Sequence, residues 1–113
     1  MQQTIPPGTV AVIFMSKRSD ADVEGYAAAA DEMRRAAQRF PGYAGIWSAR
    51  GTDGVGITVS YWANEDAARA WKADAAHAAI RERGRAQWYD WYEMAIAEVT
   101  RSYGWQKPEN IAT

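Results

Sequence analysis

The chain has 113 residues, which is enough for one domain with a hydrophobic core and too few for two. Its 13 lysines and arginines nearly balance its 14 aspartates and glutamates, so no net positive charge is available to attract nucleic acid. Cysteine is absent, which excludes disulfides, thiolate metal sites and cysteine nucleophiles and favours a cytoplasmic location.

The chain begins with MQQTIPPGTV, which contains neither the basic nor the apolar segment of a signal peptide. No later apolar run approaches the ~20 residues that a membrane span requires. We therefore expect a soluble, unprocessed protein without a membrane partner, in which residues 1–8 form an N-terminal extension.

The first half of the sequence predicts a strand followed by a helix. Residues 9–17 are rich in β-branched and apolar side chains, which indicates a strand buried on both faces. Ser19 and Asp20 offer a helix cap, and apolar residues recur every three or four positions between residues 22 and 40. This spacing predicts an amphipathic helix that ends at Pro41-Gly42.

The second half predicts a hairpin, a second helix and a final strand. Residues 43–50 and 56–62 flank a turn of two glycines and an aspartate, which is typical of antiparallel neighbours. Asn64 caps a helix that we expect to continue, with or without a break, past His77 toward Gly84. The last strand is expected over residues 89–103, although its interior glutamates leave a helix as an alternative.

The order β-α-β-β-α-β predicts an α+β protein of the ferredoxin-like class with an antiparallel sheet. Both helices would cover one face of this sheet. Apolar residues occupy both alternation classes of the strands, so the other face also needs a cover. A second copy of the chain is the simplest cover, which predicts a homodimer whose last strand and tail reach the partner.

The sequence from residue 77 to residue 105 combines the only histidine, His77, with a dense group of aromatic side chains. An imidazole beside indoles and phenols could form a pocket for a flat organic ligand. The same residues could equally form the core of a small domain, with a structural histidine and with Trp71 as packing. The aromatic group comprises Trp88, Tyr89, Trp91, Tyr92, Tyr103 and Trp105.

Several motifs resemble one known family. They are Ser60-Tyr61-Trp62, Asn64-Glu65-Asp66-Ala67, Ala70-Trp71-Lys72, His77, Gly84-Arg85 with Trp88-Tyr89 and Tyr92, Ile96-Ala97-Glu98-Val99 and Arg101-Ser102-Tyr103. Over residues 9–105 the chain resembles the antibiotic biosynthesis monooxygenase (ABM) domain family, a dimeric α+β barrel. It looks like the branch named for similarity to haem-degrading monooxygenases. Residues 106–113 would form a C-terminal tail.

The resemblance implies a monooxygenase that acts with O2 on an aromatic, polycyclic or haem-like substrate between helix two and the sheet. In the cofactor-free form of this chemistry, His77 would be the base, and Arg85 or Tyr89 would stabilise the developing anion. In the haem form, His77 would ligate the iron, although the first strand lacks the asparagine of haem-degrading relatives. The substrate-binding residues would be Trp62, Trp71, Trp88 and Tyr92.

A function of a different class also fits the sequence. The chain could be a non-catalytic dimeric module that binds a small apolar ligand, or no ligand, without turnover. The aromatic residues would then pack helix two against the sheet. The two functions differ in one structural expectation: a cofactor-free oxygenase needs a closed, solvent-free slot with His77 pointing into it, whereas an imidazole that faces bulk water would exclude that role.

Overall fold

A computed structural model of the protein describes residues 5–74 and 80–109. Four strands and two helices lie in the order that the sequence predicts. A π-helical turn, which the sequence pattern does not predict, precedes the last strand. The elements are β1 (Val10–Arg18), α1 (Val23–Arg39), β2 (Tyr43–Arg50), β3 (Val55–Trp62), α2 (Glu65–Ala73), the π-helical turn Gly84–Trp88 and β4 (Tyr89–Glu98).

The strands form one antiparallel sheet with the order β2-β3-β1-β4. This is the strand order of a ferredoxin-like α+β fold, so the predicted fold class is confirmed. The predicted hairpin is also present: β2 pairs with β3, and Gly54 takes a φ of 86° in the turn, a conformation that glycine adopts without strain. No helix among the described residues is long and apolar enough to cross a membrane.

Both helices begin at capped residues, but the first cap is not the predicted one. Asn64 caps α2 as expected, since its side-chain oxygen accepts a hydrogen bond from the Ala67 amide at 2.8 Å. The cap of α1 is Asp22, whose carboxylate accepts from the Gly25 amide. Ser19 is used elsewhere, because its hydroxyl donates to the Gln87 carbonyl at 2.6 Å and ties β1 to the π-helical turn.

The last strand ends at Glu98, five residues earlier than the predicted end at residue 103. Its partner β1 begins only at Val10, and Pro6 and Pro7 before it cannot donate to a ladder. Backbone pairing therefore stops with the bonds that join Val99 to Gly8 and Thr9. The second helix was expected to continue toward Gly84 with or without a break; α2 ends at Ala73, and residues 80–83 are helical again. Residues 75–79 lie outside the described part of the chain.

The strand register divides the sheet into two faces. Even-numbered residues of β1 and β3 point toward the helices, as do their partners on β2 and β4. Odd-numbered residues lie on the opposite face, which we call the open face. β1 was expected to be buried on both faces; in the single chain this holds only at Val10 and Ala11, and Ile13 and Met15 stay partly exposed.

The hydrophobic core lies at the end of the helix-covered face where β1 begins and β3 ends. Trp62 is fully buried at its centre, and its Nε1 donates to the Ser60 hydroxyl at 3.0 Å. The Trp71 ring stacks on Trp62 with centroids 5.5 Å apart, and Phe40 meets both rings edge-on. This cluster fixes α1 and α2 to the sheet and leaves the rest of the helix-covered face free to form a cavity.

Candidate active site

A cavity of about 490 Å³ lies between α1 and the helix-covered face of the sheet. This volume is within the range of ordinary small-molecule sites, roughly 300–1,000 Å³. Its walls are mainly apolar, and Trp71 separates it from the core. The apolar wall residues include Val12, Phe14, Ala29, Ala30, Met33, Ile46, Ile80 and Met94.

One end of the cavity is polar and carries a positive charge. Arg50, the last residue of β2, donates from Nη2 to the Ser16 hydroxyl at 3.0 Å and to the Tyr26 hydroxyl at 3.4 Å. Its Nη1 donates to the Ser16 carbonyl at 3.3 Å and to the Gly54 carbonyl. Among the described residues, no carboxylate lies within ion-pair distance of Arg50. The positive charge at this end is therefore not neutralised by a described side chain.

A second arginine supports the same end from outside the cavity. The Arg18 guanidinium lies 3.5 Å from the centre of the Tyr26 ring, and its Nε donates to the Trp88 carbonyl at 3.2 Å. Trp88 meets Tyr26 edge-on, with centroids 5.9 Å apart. Tyr26 is thus held by Arg18, Arg50 and Trp88, which leaves its ring little freedom to turn.

A β-bulge brings Tyr89 to this site. Lys17 pairs with Trp91 and Arg18 pairs with Tyr89, so Asp90 is an extra residue in β4. Tyr89 and Tyr92 would point to opposite faces of a regular strand, but the bulge puts both beside Phe14, with centroids 5.4 and 5.3 Å from it. Gly84 makes room for the Tyr89 ring, because a Cβ there would lie 2.8 Å from it.

Burial raises the pKa of the Tyr89 phenol, and the nearby Tyr26 raises it further. Tyr89 is therefore a neutral phenol at physiological pH. It can donate a hydrogen bond to a developing oxyanion, but it cannot act as a base.

Replacing Tyr89 with phenylalanine should change how stability depends on alkaline pH. The folded pKa lies above the unfolded value of ~10, so Tyr89 contributes stability that is present below about pH 10 and lost as pH rises further. The stability difference between wild type and Tyr89→Phe should thus be constant from pH 8 to about 10 and shrink above it. Urea unfolding at each pH measures this difference. Tyr103→Phe is the control because Tyr103 is 88% exposed, and an equal pH effect in both variants would contradict the prediction.

The structure brings four of the seven residues predicted for the site to the cavity wall, namely Trp71, Trp88, Tyr89 and Tyr92. Trp62 lies behind Trp71 in the core. Arg85 is exposed outside the cavity, where it donates to the Tyr92 hydroxyl at 2.6 Å and to Glu82 at 2.9 Å. The hydrogen bond to Tyr92 raises the pKa of the Arg85 guanidinium. His77 lies outside the described residues.

Sequence reasoning missed Arg50, Ser16 and Tyr26. Arg50 precedes the hairpin glycine and reads as a solvated strand end, and Tyr26 reads as part of the apolar stripe of α1. Ser16 carried the one available signal, since it is a small polar residue at a helix-facing position of an apolar strand. A fully buried serine needs a hydrogen-bond partner, and Arg50 supplies it.

Solved structures with the same fold include an oxygenase. A variant of SnoaB, a cofactor-independent oxygenase from Streptomyces nogalater, matches with a TM-score of 0.70 and 17% identity, over 80% of this chain and 91% of that one. A candidate antibiotic biosynthesis monooxygenase from Nitrosomonas europaea matches with a TM-score of 0.72 and 12% identity, over 84% and 93%. At these identities the matches show the fold, which is that of the ABM structures.

One sequence relative is much closer than these structures. No protein-family model matches the chain. The uncharacterized protein YqjZ of Bacillus subtilis is 40% identical over 110 residues, which is 97% of this chain and 96% of that protein. Identity at this level over nearly the whole of both proteins shows common descent, and the chain therefore belongs to the YqjZ family.

Proposed function

We propose that the protein is a monooxygenase of the ABM type, which oxidises an electron-rich aromatic substrate with O2 and needs no cofactor. The observation that carries this proposal is the cavity, in which apolar and aromatic walls end at Arg50, Tyr26 and Tyr89. The fully buried Ser16 accepts a hydrogen bond from Arg50 and helps to position it. A substrate phenol or enol would place its oxygen at this end. The description of SnoaB as a cofactor-independent oxygenase supports the proposal by analogy of fold.

The reaction begins with removal of a proton from the substrate. The anion then gives one electron to O2, and the two radicals join to form a carbon–oxygen bond. After protonation, the hydroperoxide loses water, which carries away the outer oxygen atom and the hydrogen of the attacked carbon. Substrate plus O2 thereby gives a quinone plus water, without an outside reductant.

The described residues can stabilise the anion in this sequence. Arg50 supplies a positive charge, and Tyr26 and Tyr89 supply hydroxyl groups in a partly desolvated site, where such interactions are strong. The neutral Tyr89 cannot remove the first proton. We propose His77 as the base because it is the only histidine and its pKa range suits this role.

The haem alternative depends on His77 as the iron ligand. The described cavity wall offers an arginine guanidinium and tyrosine hydroxyl groups, which suit a substrate oxyanion. No step of the proposed reaction uses haem. Membership of the haem-degrading branch stays a prediction from the sequence.

We also propose that the protein acts as a homodimer through the open face. In the single chain this face exposes Trp47, Val55, Ile57 and Trp91, which lie on three strands. Proteins that stay monomeric rarely expose an apolar patch of this extent. A second copy would bury it symmetrically.

Oxygen uptake tests the proposed activity. With 1,8-dihydroxyanthrone as probe and the spontaneous rate subtracted, the wild type should consume one O2 per quinone formed, also in the presence of a chelator. Arg50→Gln should lower kcat about 10²-fold, because it removes the cation at the oxyanion. Tyr26→Phe removes only a hydroxyl and should show a smaller loss.

Arg35→Gln is the matched control, since Arg35 pairs with Asp31 at 3.0 Å on the exposed side of α1. It should leave turnover unchanged. If the folded wild type does not accelerate oxidation of any phenol or anthrone in a panel of two- to four-ring probes, the non-catalytic ligand-binding module is the better description. Equal rates for wild type and Arg50→Gln would remove Arg50 from the mechanism.

A further inference from the structure

The cavity holds a second arginine that the proposed reaction does not use. Arg81 lies within residues 80–83, which are helical, and lines the cavity wall. Within residues 5–74 and 80–109, its Nη1 makes one hydrogen bond, a long one of 3.5 Å to the Lys72 carbonyl. Its Nε is buried and finds no acceptor among the described residues.

A buried guanidinium donor without an acceptor is unfavourable, because it has lost its hydrogen bonds to water. Elsewhere in the described chain, Arg35 and Arg69 satisfy their charges with Asp31 and Glu65 on exposed helix surfaces. Arg81 has no such carboxylate within ion-pair distance in the described residues. Arg81 also lines the cavity, where a ligand group can meet the rest of its guanidinium.

We propose that Arg81 binds a carboxylate of the ligand, so that the substrate is an aromatic acid. This inference rests on the proposed function, since it assigns a substrate class to the same cavity. A guanidinium offers parallel N–H donors that match the two oxygens of a carboxylate, and such pairs are short and strong. The ring system would lie on the apolar wall, with its reacting oxygen toward Arg50 and its acid group toward Arg81.

Two observations favour an acid over a neutral ligand. Arg50 and Arg81 both line the cavity, and neither charge is balanced by a described carboxylate. The third arginine of the wall, Arg34, already approaches Asp31 at 3.8 Å. The cavity therefore has two positive charges for one phenolate, and a carboxylate supplies the second negative charge.

Calorimetric titration with a matched pair of probes tests this inference. At pH 7.5, 2-naphthoate should bind the wild type at least about tenfold more tightly than 2-naphthamide, which has the same rings without the charge. Arg81→Gln should weaken 2-naphthoate at least about tenfold and leave 2-naphthamide within about twofold. Arg69→Gln, which removes an equal charge from the exposed side of α2, should change neither affinity.

Several results would overturn the assignment. These are equal affinity of the wild type for the acid and the amide, no binding of either probe at millimolar concentration, and equal loss of both probes in Arg81→Gln. The assignment would also fail if Arg50→Gln lost the preference for 2-naphthoate over 2-naphthamide while Arg81→Gln kept it. Near-ultraviolet circular dichroism establishes that each variant is folded, and Arg81→Lys, which keeps the charge and loses Nε, should bind 2-naphthoate with intermediate affinity.

This titration is independent of turnover. If Arg81→Gln abolishes the preference for the acid but the protein consumes no oxygen, the oxygenase proposal is wrong and the assignment of an acidic ligand stands. Oxygen uptake that is equally fast with neutral and acidic phenols would remove the ligand class and keep the oxygenase.

Discussion

Replacing Trp62 with alanine should destabilise the protein by about 3–5 kcal/mol, which is a large part of the stability of a small domain. Trp62 is fully buried, and its ring meets Phe40, Tyr43 and Trp71. Alanine would leave a space that these three rings, which belong to different elements, cannot fill together. The buried Ser60 hydroxyl would also lose the hydrogen bond that it accepts from the Trp62 Nε1.

Urea unfolding of Trp62→Ala measures this loss, and Trp105→Ala is the matched control because Trp105 is 76% exposed. The control should change stability by less than about 0.5 kcal/mol. Trp62→Phe should fall between wild type and alanine, since it keeps a ring but not the indole N–H. A loss below about 1 kcal/mol for Trp62→Ala would show that the cluster around it is not the main core.

Placing a charge on the open face should convert the proposed dimer into a monomer. In Ile57→Glu the carboxylate would replace a side chain that is 42% exposed in the single chain, so the monomer should tolerate it. In a twofold dimer both copies carry the substitution, so the interface would bury two unpaired carboxylates, each of which strongly destabilises the dimer. We expect the dissociation constant to rise at least about 10³-fold.

Light scattering of the eluted protein gives the result directly. The wild type should show about twice the chain mass of 12.6 kDa, and Ile57→Glu should show the mass of one chain. Val23→Glu is the control, because Val23 is 64% exposed at the start of α1, away from the sheet. A monomeric wild type at micromolar concentration would contradict the proposal that a second copy covers the open face.

The sequence was sufficient to predict the architecture because the signals for it are local. Apolar periodicity distinguished the helices from the strands, and the glycines and aspartate of residues 51–54 marked the hairpin. The errors occurred at ends that depend on distant partners. β4 stops where β1 has no more donors to pair with, and Ser19 does not cap α1 because the π-helical turn engages it.

The candidate site was harder to predict because its parts come together only in the folded chain. Ser16, Tyr26 and Arg50 belong to β1, α1 and β2, and none of them stands in a recognisable motif. Counting alternate residues along β4 would group Tyr89 with Trp91 and separate it from Tyr92. The bulge at Asp90 reverses this grouping, and no residue pattern nearby announces it.

The extra residue at Asp90 also affects how relatives of this protein should be aligned. In a regular strand, two tyrosines share a face when one residue separates them, whereas here two residues separate Tyr89 from Tyr92. A homologue without the bulge would present the same pair of hydroxyls with the shorter spacing. A gap-free alignment would then place its first tyrosine opposite Asp90 and record the residue as lost. Evolutionary gain or loss of this site should therefore be judged by strand register rather than by matching columns.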